Sequence, residues 1–398
     1  MRVAYVCADV GVPVFGSKGC SVHVQEVVRS LVRRGATVDL FTTRAGGEPP
    51  GDLAGVRVHQ LSVSTTSDPA DWEQAALTAN SALSAELEKT GPFEMVYERY
   101  SLWSYAAMEY AQSFDTPGVL EVNAPLILEQ ARHRRLVHRE EAEKVSDRVF
   151  GAATSIIAIS DEVARYLADC TGRAECVHVV SNGVNTDRFT HDVSPALPNA
   201  AADFTVGFAG TLKPWHGLSV LIEAFEILHR EDPDVGLLIV GDGPERKSIE
   251  HELEARGLRD SSRVQLTGAV DPARMPGLLT SMSVGVAPYP GLEDFYFSPI
   301  KIFEYMAAGL PVVASRIGSI SQLIEDGYNG LLCRPGDPAM LADALVRLRD
   351  DQPLRNRLGT TARQTVVANH TWDSVVERIF ELAGCDAASH AADWERVT

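Results

Sequence analysis

The sequence lacks the features that would place the chain in a membrane, on nucleic acid or in a disulfide-rich class. No apolar stretch approaches the ~20 residues that a membrane-spanning helix needs. The formal net charge is −18, whereas binding to a phosphate backbone requires a basic face. The six cysteines include no Cys-x-x-Cys pair. We therefore expect free thiols in a reducing cytoplasm rather than disulfides or a zinc site.

Two catalytic motifs are missing as well. No predicted strand is followed by Gly-x-Gly-x-x-Gly, which disfavours a nicotinamide-dependent dehydrogenase. No Asp-x-Asp is placed at a strand end, so we expect no metal site and no metal cofactor. The opening run "MRVAYVCADVGV" soon meets glycine and proline. We expect it to form a strand rather than a signal peptide.

What is present is a strand–helix alternation typical of globular α/β proteins. The 398 residues suffice for two or three domains. In the first half, the pattern predicts strands at 2–8, 37–42, 56–63, 95–98, 118–122 and 155–160. It predicts helices at 21–35, 70–88 and 137–151. Alternation of this kind indicates a parallel sheet covered by helices on both faces.

The pattern restarts after residues 190–203, a stretch rich in Pro, Ala and Asn that we interpret as a linker. Strands are predicted at 204–210, 235–241, 263–270, 283–289, 311–315 and 330–333, and helices at 218–231, 244–256, 298–308, 338–350 and 372–384. The predicted fold is α/β, with two Rossmann-like doubly wound domains facing across a cleft. The expected bounds are 1–189 and 204–371, and the last helix and tail, 372–398, are expected to pack on the first domain.

The predicted helix "SPIKIFEYMAAG" carries a lysine at an unfavourable position. Ser298 suits the N-cap, Pro299 the first turn and Gly309 the end. Lys301 then lies in the first turn, where the helix dipole disfavours a cation. A bound phosphate would satisfy both the dipole and the lysine, and Glu304 one turn later could accept hydrogen bonds from a ribose. The alternative is an exposed salt bridge between the two residues.

The longer stretch "SPIKIFEYMAAGLPVVAS" resembles the donor-site helix of the retaining glycosyltransferases of family 4, which have the GT-B fold. Other segments are similar to that family in the same order, and the resemblance covers nearly the whole chain. These segments are "GSKGCSVHVQEVVRSLVRRGATVDLFT", "IIAISDEV", "SNGVNTDRF", "LLIVGDGPERKSIE", "QLTGAV" and "IEDGYNGLLCRPGD".

The resemblance implies roles for individual residues. Glu304 would bind the ribose hydroxyls. The backbone around Ser298 and Ile300, with Lys301 nearby, would hold the diphosphate, and the backbone near Val270 would contact the base.

The N-terminal glycine loop has a similar implied role. Gly19 would let this loop approach the donor phosphate, because only glycine permits so close a contact. The spacing Gly16–Ser–Lys–Gly19 could equally be a plain turn.

The acidic loop before the helix departs from the family pattern. Two glutamates eight residues apart are usual there, and this spacing would place the first at Tyr296. Glu293–Asp294–Phe295 instead resembles the usual Glu-x-Phe start, with three extra residues before the helix. We predict that Glu293, or alternatively Asp294, contacts the transferred sugar. The competing interpretation is an exposed acidic loop.

Two further positions depart from the family. "GTLKPWHG" has Thr211 and His216 where relatives commonly carry an arginine and a lysine on the leaving diphosphate. Lys213 could supply the missing cation, and His216 could be a titratable donor or a plain loop residue. Asn123 replaces a histidine near the donor sugar, and an amide cannot act as an acid or base.

The resemblance thus implies a retaining hexosyltransferase that uses a nucleotide-diphosphate sugar, with UDP favoured and GDP next. Residues 1–189 would be its acceptor-side domain and residues 204–371 its donor domain. We expect a small soluble acceptor, a cytoplasmic location, and neither nucleic-acid nor integral membrane association. One alternative is a nucleotide-sugar epimerase or hydrolase on the same fold. Thr211 and Asn123 motivate a second, a nucleotide-sugar-binding protein without transfer activity. The acceptor and the oligomeric state stay open.

Overall fold

The computed structural model describes residues 1–63, 67–133, 135–190, 192–197, 203–259, 263–292 and 295–384. These residues form two compact units. The first comprises Met1–Asn182, Tyr296–Ser298 and the chain from Trp372, and the second comprises Gly183–Phe295 and Pro299–Thr371.

Each unit is built on one parallel sheet. The first sheet contains β1 Arg2–Cys7, β2 Thr37–Thr42, β3 Arg57–Gln60, β4 Met95–Arg99, β5 Gly118–Val122, β6 Ser155–Ala158 and β7 Val177–Val179. The second contains β8 Thr205–Ala209, β9 Gly236–Val240, β10 Val264–Leu266, β11 Val284–Ala287, β12 Val312–Ser315 and β13 Leu331–Cys333. The strand orders are β3-β2-β1-β4-β5-β6-β7 and β10-β9-β8-β11-β12-β13. The predicted class, two doubly wound α/β domains, is confirmed.

Helices connect and cover the strands. In chain order they are α1 Gly19–Arg33, α2 Pro69–Thr90, α3 Ala106–Ser113, α4 Leu126–His133, α5 Arg139–Ala152, α6 Asp161–Thr171, α7 Leu218–Glu231, α8 Arg246–Ala255, α9 Met275–Leu279, α10 Ile300–Ala307, α11 Ile320–Leu323, α12 Pro338–Asp350, α13 Gln352–Asn369 and α14 Trp372–Leu382. Strands covered in this way are buried on both faces, so they appear in the sequence as continuous apolar runs.

The strand order positions two candidate sites. Successive strands are added outward in one direction from β1 and in the other from β4 in the first sheet, and likewise from β8 and β11 in the second. In open α/β sheets, ligands bind beyond the carboxyl ends of the strands at these switch points. The loops that follow these four strands are therefore where functional side chains are expected.

The C-terminal helix α14 packs against α1 within the first unit. The Ser30 hydroxyl donates a hydrogen bond of 2.6 Å to the Asp373 carboxylate, and the His23 ring meets Trp372 edge-on at 4.9 Å. Val376 and Ile379 of α14 are almost fully buried in the same apolar cluster as α1. The helix is thus part of the first unit's core, although it comes last in the described chain.

Some expectations concern residues that the structure does not describe. Residues 191 and 198–202 of the predicted linker, Glu293, Asp294 and the tail after residue 384 are outside the described ranges. Inside those ranges, no helix is long and apolar enough to span a membrane. The cysteines within them are all free thiols.

Candidate active site

Two loops meet closely at the carboxyl edge of the second sheet. Gly210 follows β8 with φ +143°, and Gly241 follows β9 with φ +133°. A Cβ on Gly241 would lie 2.0 Å from the Gly210 carbonyl oxygen. Both the backbone angle and this contact require glycine. The loop after β8 is thereby held against its neighbour.

Lys301 occupies the centre of this edge. Its Nζ lies 4.3 Å from the centre of the Phe208 ring and 5.2 Å from that of Tyr289. A Cβ on Gly210 would stand 3.5 Å from the same Nζ. Among the described residues this buried Nζ has no hydrogen-bond partner. Burial lowers the pKa of Lys301 to about 7, although the nearby Glu304 acts in the opposite direction.

Helix α10, which carries Lys301, is anchored to the sheet at its far end. The Tyr305 hydroxyl accepts a 2.7 Å hydrogen bond from the Ala209 amide. The helix ends at Ala307 and is followed by the C-cap Ala308 and by Gly309 with φ +72°, and the Leu310 amide donates to the Tyr305 carbonyl at 3.0 Å. This Schellman-type end was correctly predicted from the glycine.

The prediction that Ser298 caps α10 is wrong. The helix begins at Ile300 and its N-cap is Pro299, with φ −83° and ψ 52°. This non-helical backbone at Pro299 leaves Ser298 outside the helix. The Ser298 hydroxyl is buried and has no hydrogen-bond partner in the described part of the chain. Its role in donor binding stays a prediction.

The loop after β8 brings His216 close to Lys301. Nδ1 of His216 donates to the Thr211 carbonyl at 2.5 Å, and its ring lies 5.7 Å from Tyr289. Burial, aided by Lys301 and Lys213, lowers the pKa of His216 to about 3. The imidazole is therefore neutral at physiological pH, and its Nε2 is an acceptor. This result disagrees with the expectation of a titratable donor.

Lys213 and Gly217 complete this loop. The Lys213 ammonium lies 5.4 Å from the centre of the Trp215 ring. Gly217 has φ +69° and precedes α7. A Cβ on Gly217 would lie 1.8 Å from the Pro288 carbonyl oxygen, just after β11. The loop is thus fixed between the ends of β8 and β11, at the switch point.

Glu304 and Val270 lie in the same unit. Glu304 is on α10, one turn after Ile300, and its side chain is partly exposed. Val270 follows β10 and is also partly exposed. Before it, Gly268 has φ +71°, and a Cβ there would lie 3.0 Å from the guanidinium of Arg246. No contact between Glu304 and Val270 is needed for the predicted roles, since ribose and base are separate groups.

Gly19 and Asn123 belong to the first unit. Gly19 is the first residue of α1, and a Cβ on it would meet no described atom within 4 Å. The fold itself therefore does not require glycine there. Asn123 follows β5, and its buried Nδ2 has no hydrogen-bond partner among the described residues.

Sequence reasoning missed the aromatic surroundings of Lys301. Phe208 lies on β8 and Tyr289 just after β11, far from the lysine along the chain. The available clue was an aromatic residue near the carboxyl end of each of these two predicted strands. It also missed Arg99, the last residue of β4, although a charged residue ending a buried strand is unusual.

Comparisons with known proteins agree with this architecture. Residues 17–188 match the Glycosyltransferase Family 4 model, and residues 203–351 match the Glycosyl transferases group 1 model. A D-inositol 3-phosphate glycosyltransferase of Corynebacterium diphtheriae is 25% identical over 394 residues, covering 93% of this chain and 90% of that protein. A phosphatidyl-myo-inositol mannosyltransferase of Mycobacterium leprae is 35% identical over 228 residues, covering 57% of this chain and 58% of that protein. Anabaena HepE, solved in complex with UDP and glucose, has a TM-score of 0.72 at 22% identity and covers 96% of this chain and 98% of its own.

These matches, together with two all-parallel sheets, define the class: the protein is a glycosyltransferase with the GT-B fold. More particularly, the chain belongs to glycosyltransferase family 4, as the sequence motifs predicted.

Proposed function

We propose that the protein is a retaining hexosyltransferase that uses a UDP-sugar, with a GDP-sugar as the second choice. The observation that carries this proposal is the buried, unpartnered Nζ of Lys301 at the carboxyl edge of the second sheet. An unpaired buried ammonium is costly, and a bound diphosphate would compensate it. Anabaena HepE was solved with UDP and glucose, which supports UDP as the nucleotide.

The second unit would bind the donor, and residues 204–371 are the proposed donor domain. The first intrahelical bond of α10 is made by the Ile302 amide, so those of Ile300 and Lys301 precede it. These amides, Lys301 and the Thr211 backbone would hold the diphosphate. Glu304 would accept hydrogen bonds from the ribose, and the backbone at Val270 would contact the base.

The transfer would proceed on one face of the sugar. The acceptor oxygen bonds to the anomeric carbon on the face from which the phosphate leaves, as the bond from that carbon to the phosphate oxygen breaks. The leaving phosphate oxygen takes the proton of the acceptor hydroxyl. Lys213 and Lys301 stabilise the negative charge that develops there, a task a metal ion performs in other enzymes. The neutral His216 accepts a hydrogen bond at Nε2 rather than supplying a cation.

The first unit would bind the acceptor, and residues 1–189 are the proposed acceptor-side domain. Gly19 would adjoin the donor phosphate, while Asn123 and Glu293, or alternatively Asp294, would contact the transferred sugar. Relatives are named for inositol phosphate and phosphatidyl-inositol acceptors. Their names support a hydroxyl-rich acceptor here, and we propose a small soluble one.

The donor assignment is tested by thermal unfolding with UDP, GDP, ADP and dTDP. We expect UDP to raise the Tm most, and the Glu304→Ala variant to lose this shift while its ligand-free Tm stays within a few degrees of the parent. Glu88→Ala, an exposed glutamate of α2, serves as the control. No stabilisation by any nucleotide, or an undiminished shift in Glu304→Ala, would contradict the assigned donor site.

Turnover separates this proposal from its alternatives. Incubation with UDP-sugars and a panel of hydroxyl acceptors should release UDP only when an acceptor is present. Consumption of donor without acceptor would favour an epimerase or hydrolase. Binding without any turnover would favour a protein that has lost transfer.

A further inference from the structure

A second unpartnered cation lies at the switch point of the first sheet. Arg99 ends β4, where it pairs in register with Glu121 of the neighbouring β5. Its Nε is buried and has no hydrogen-bond partner among the described residues. The mechanism proposed above does not use this guanidinium.

The acidic groups around Arg99 are already engaged. Both carboxylate oxygens of Glu121 lie within 3.0 Å of His23 Nε2. The Asp9 carboxylate accepts from the Gly11 amide at 2.7 Å. Burial raises the pKa of the Cys7 thiol to about 12, so this neighbour is neutral. None of these groups accepts a hydrogen bond from Arg99.

The guanidinium is nonetheless charged. Burial lowers its pKa, but acidic neighbours, among them the carboxylates of Glu121 and Asp9, hold the pKa above the ordinary value of arginine. A buried guanidinium nitrogen without a hydrogen-bond acceptor is costly even where nearby carboxylates compensate part of the charge. The fold therefore keeps a cation at the edge where a ligand is expected.

A second donor stands on the adjacent strand end. Asn123 lies two residues beyond Glu121, and its buried Nδ2 also lacks a partner in the described chain. Two neighbouring strands, β4 and β5, thus end in donors with no internal acceptor. A single neutral hydroxyl offers only one acceptor oxygen to these donors. A phosphate or carboxylate offers several acceptor oxygens in a geometry that matches the guanidinium fork.

We propose that Arg99 is a specificity-determining residue that binds an anionic group, a phosphate ester or a carboxylate, on the acceptor substrate. The identity of this ligand as the acceptor rests on the proposed transfer reaction. The oxyanion site itself rests on the buried, unpartnered Nε of Arg99 at the switch point, whereas Asn123 keeps its proposed contact with the transferred sugar. The acceptor would accordingly be an acidic sugar or polyol rather than a neutral one.

Binding to the UDP-saturated full chain tests this proposal, because UDP occupies the anion site near Lys301. The probes are inorganic phosphate, glucose 6-phosphate, glucuronate and neutral glucose, measured by calorimetry. We expect at least one of the oxyanions to bind tenfold or more tightly than glucose, and glucose 6-phosphate and glucuronate distinguish the two sources. Equal or absent binding of all four probes would overturn the inference.

Variants identify the residue. Arg99→Gln should weaken the preferred oxyanion at least tenfold without changing UDP affinity or the weak binding of glucose. Arg99→Lys keeps the charge but loses the planar fork, so its oxyanion affinity should lie between those of the parent and Arg99→Gln. If Arg99→Gln does not fold, the oxyanion affinity of Arg99→Lys is the test. The exposed Arg57→Gln is the control. Unchanged oxyanion affinity in both Arg99 variants would refute the assignment. Failure of UDP itself to bind would instead refute the proposed donor site.

Discussion

Lys301 links ligand binding to pH at the level of a single residue. In the free protein its pKa is about 7, and a bound diphosphate should raise that pKa. Binding therefore takes up a proton above pH 7, and affinity is complete below this value and declines as the pH rises through it. Because one proton is taken up, the affinity can fall by at most tenfold per pH unit. Neither His216 nor Tyr289 interferes, since the pKa of the first is lowered to about 3 and that of the second is raised.

We predict that the Kd for UDP rises several-fold between pH 7 and pH 9 in the parent protein. Phosphate groups titrate near pH ~6, so the nucleotide contributes little in this range. In Lys301→Arg the profile should be flat, because arginine stays protonated. Calorimetric titration at each pH measures both curves. A flat parent profile, or an equal slope in the arginine variant, would contradict the proton linkage.

The sequence predicted the position of Lys301 in its helix but not its surroundings. The proline and glycine around α10 placed the lysine in a first turn without any tertiary information, although the predicted cap at Ser298 was wrong. Its aromatic neighbours come from β8 and from the loop after β11, so local spacing carried no trace of them. The neutral state of His216 was equally hidden, because burial and the neighbouring lysines cause it.

At the level of elements, Gly217 links the loop after β8 to the end of β11. We predict that Gly217→Ala lowers the free energy of unfolding by about 2–4 kcal/mol, because left-handed backbone strain adds to a clash. It should also weaken UDP binding, since the loop carries Thr211 and Lys213. Urea unfolding and calorimetry measure the two effects.

The control for this variant is Gly257→Ala. Gly257 has nearly the same backbone angle, φ +70°, but a Cβ there would meet no described atom within 4 Å. It should therefore show only the strain, about 1–2 kcal/mol, with UDP binding unchanged. Equal costs for the two variants would mean that the contact with the Pro288 carbonyl is unimportant.

Element prediction succeeded where burial is uniform. The buried strands and α7 and α12 were predicted almost to the residue, because their apolar periodicity is strong. The long helix α13 was missed, although its buried residues Leu354, Leu358, Ala362 and Val366 recur at every fourth position. The apolar face is narrow and the rest of the segment is largely polar, so the periodicity is weak.

For the whole molecule, alternation of strands and helices predicted the class, and the order of motifs predicted the family. Both depend on many weak features that agree, so single departures such as Thr211 or Asn123 did not mislead the assignment. The last helix was expected to pack on the first domain, and α14 lies in the core of the first unit through contacts with α1. Arg99, in contrast, could not be foreseen, because it became a candidate only when its neighbours were seen to be engaged elsewhere.

We propose above that the second unit binds a nucleotide diphosphate at a site built around Lys301. Calorimetric titration of UDP into the parent protein and into Lys301→Met tests it most directly. The methionine removes the charge but keeps the volume, and it should leave the protein at least as stable because no unpaired ammonium is then buried. We predict clear UDP binding by the parent and a loss of at least tenfold, about 1.4 kcal/mol, in the variant. Equal UDP affinity in a folded Lys301→Met protein would contradict it.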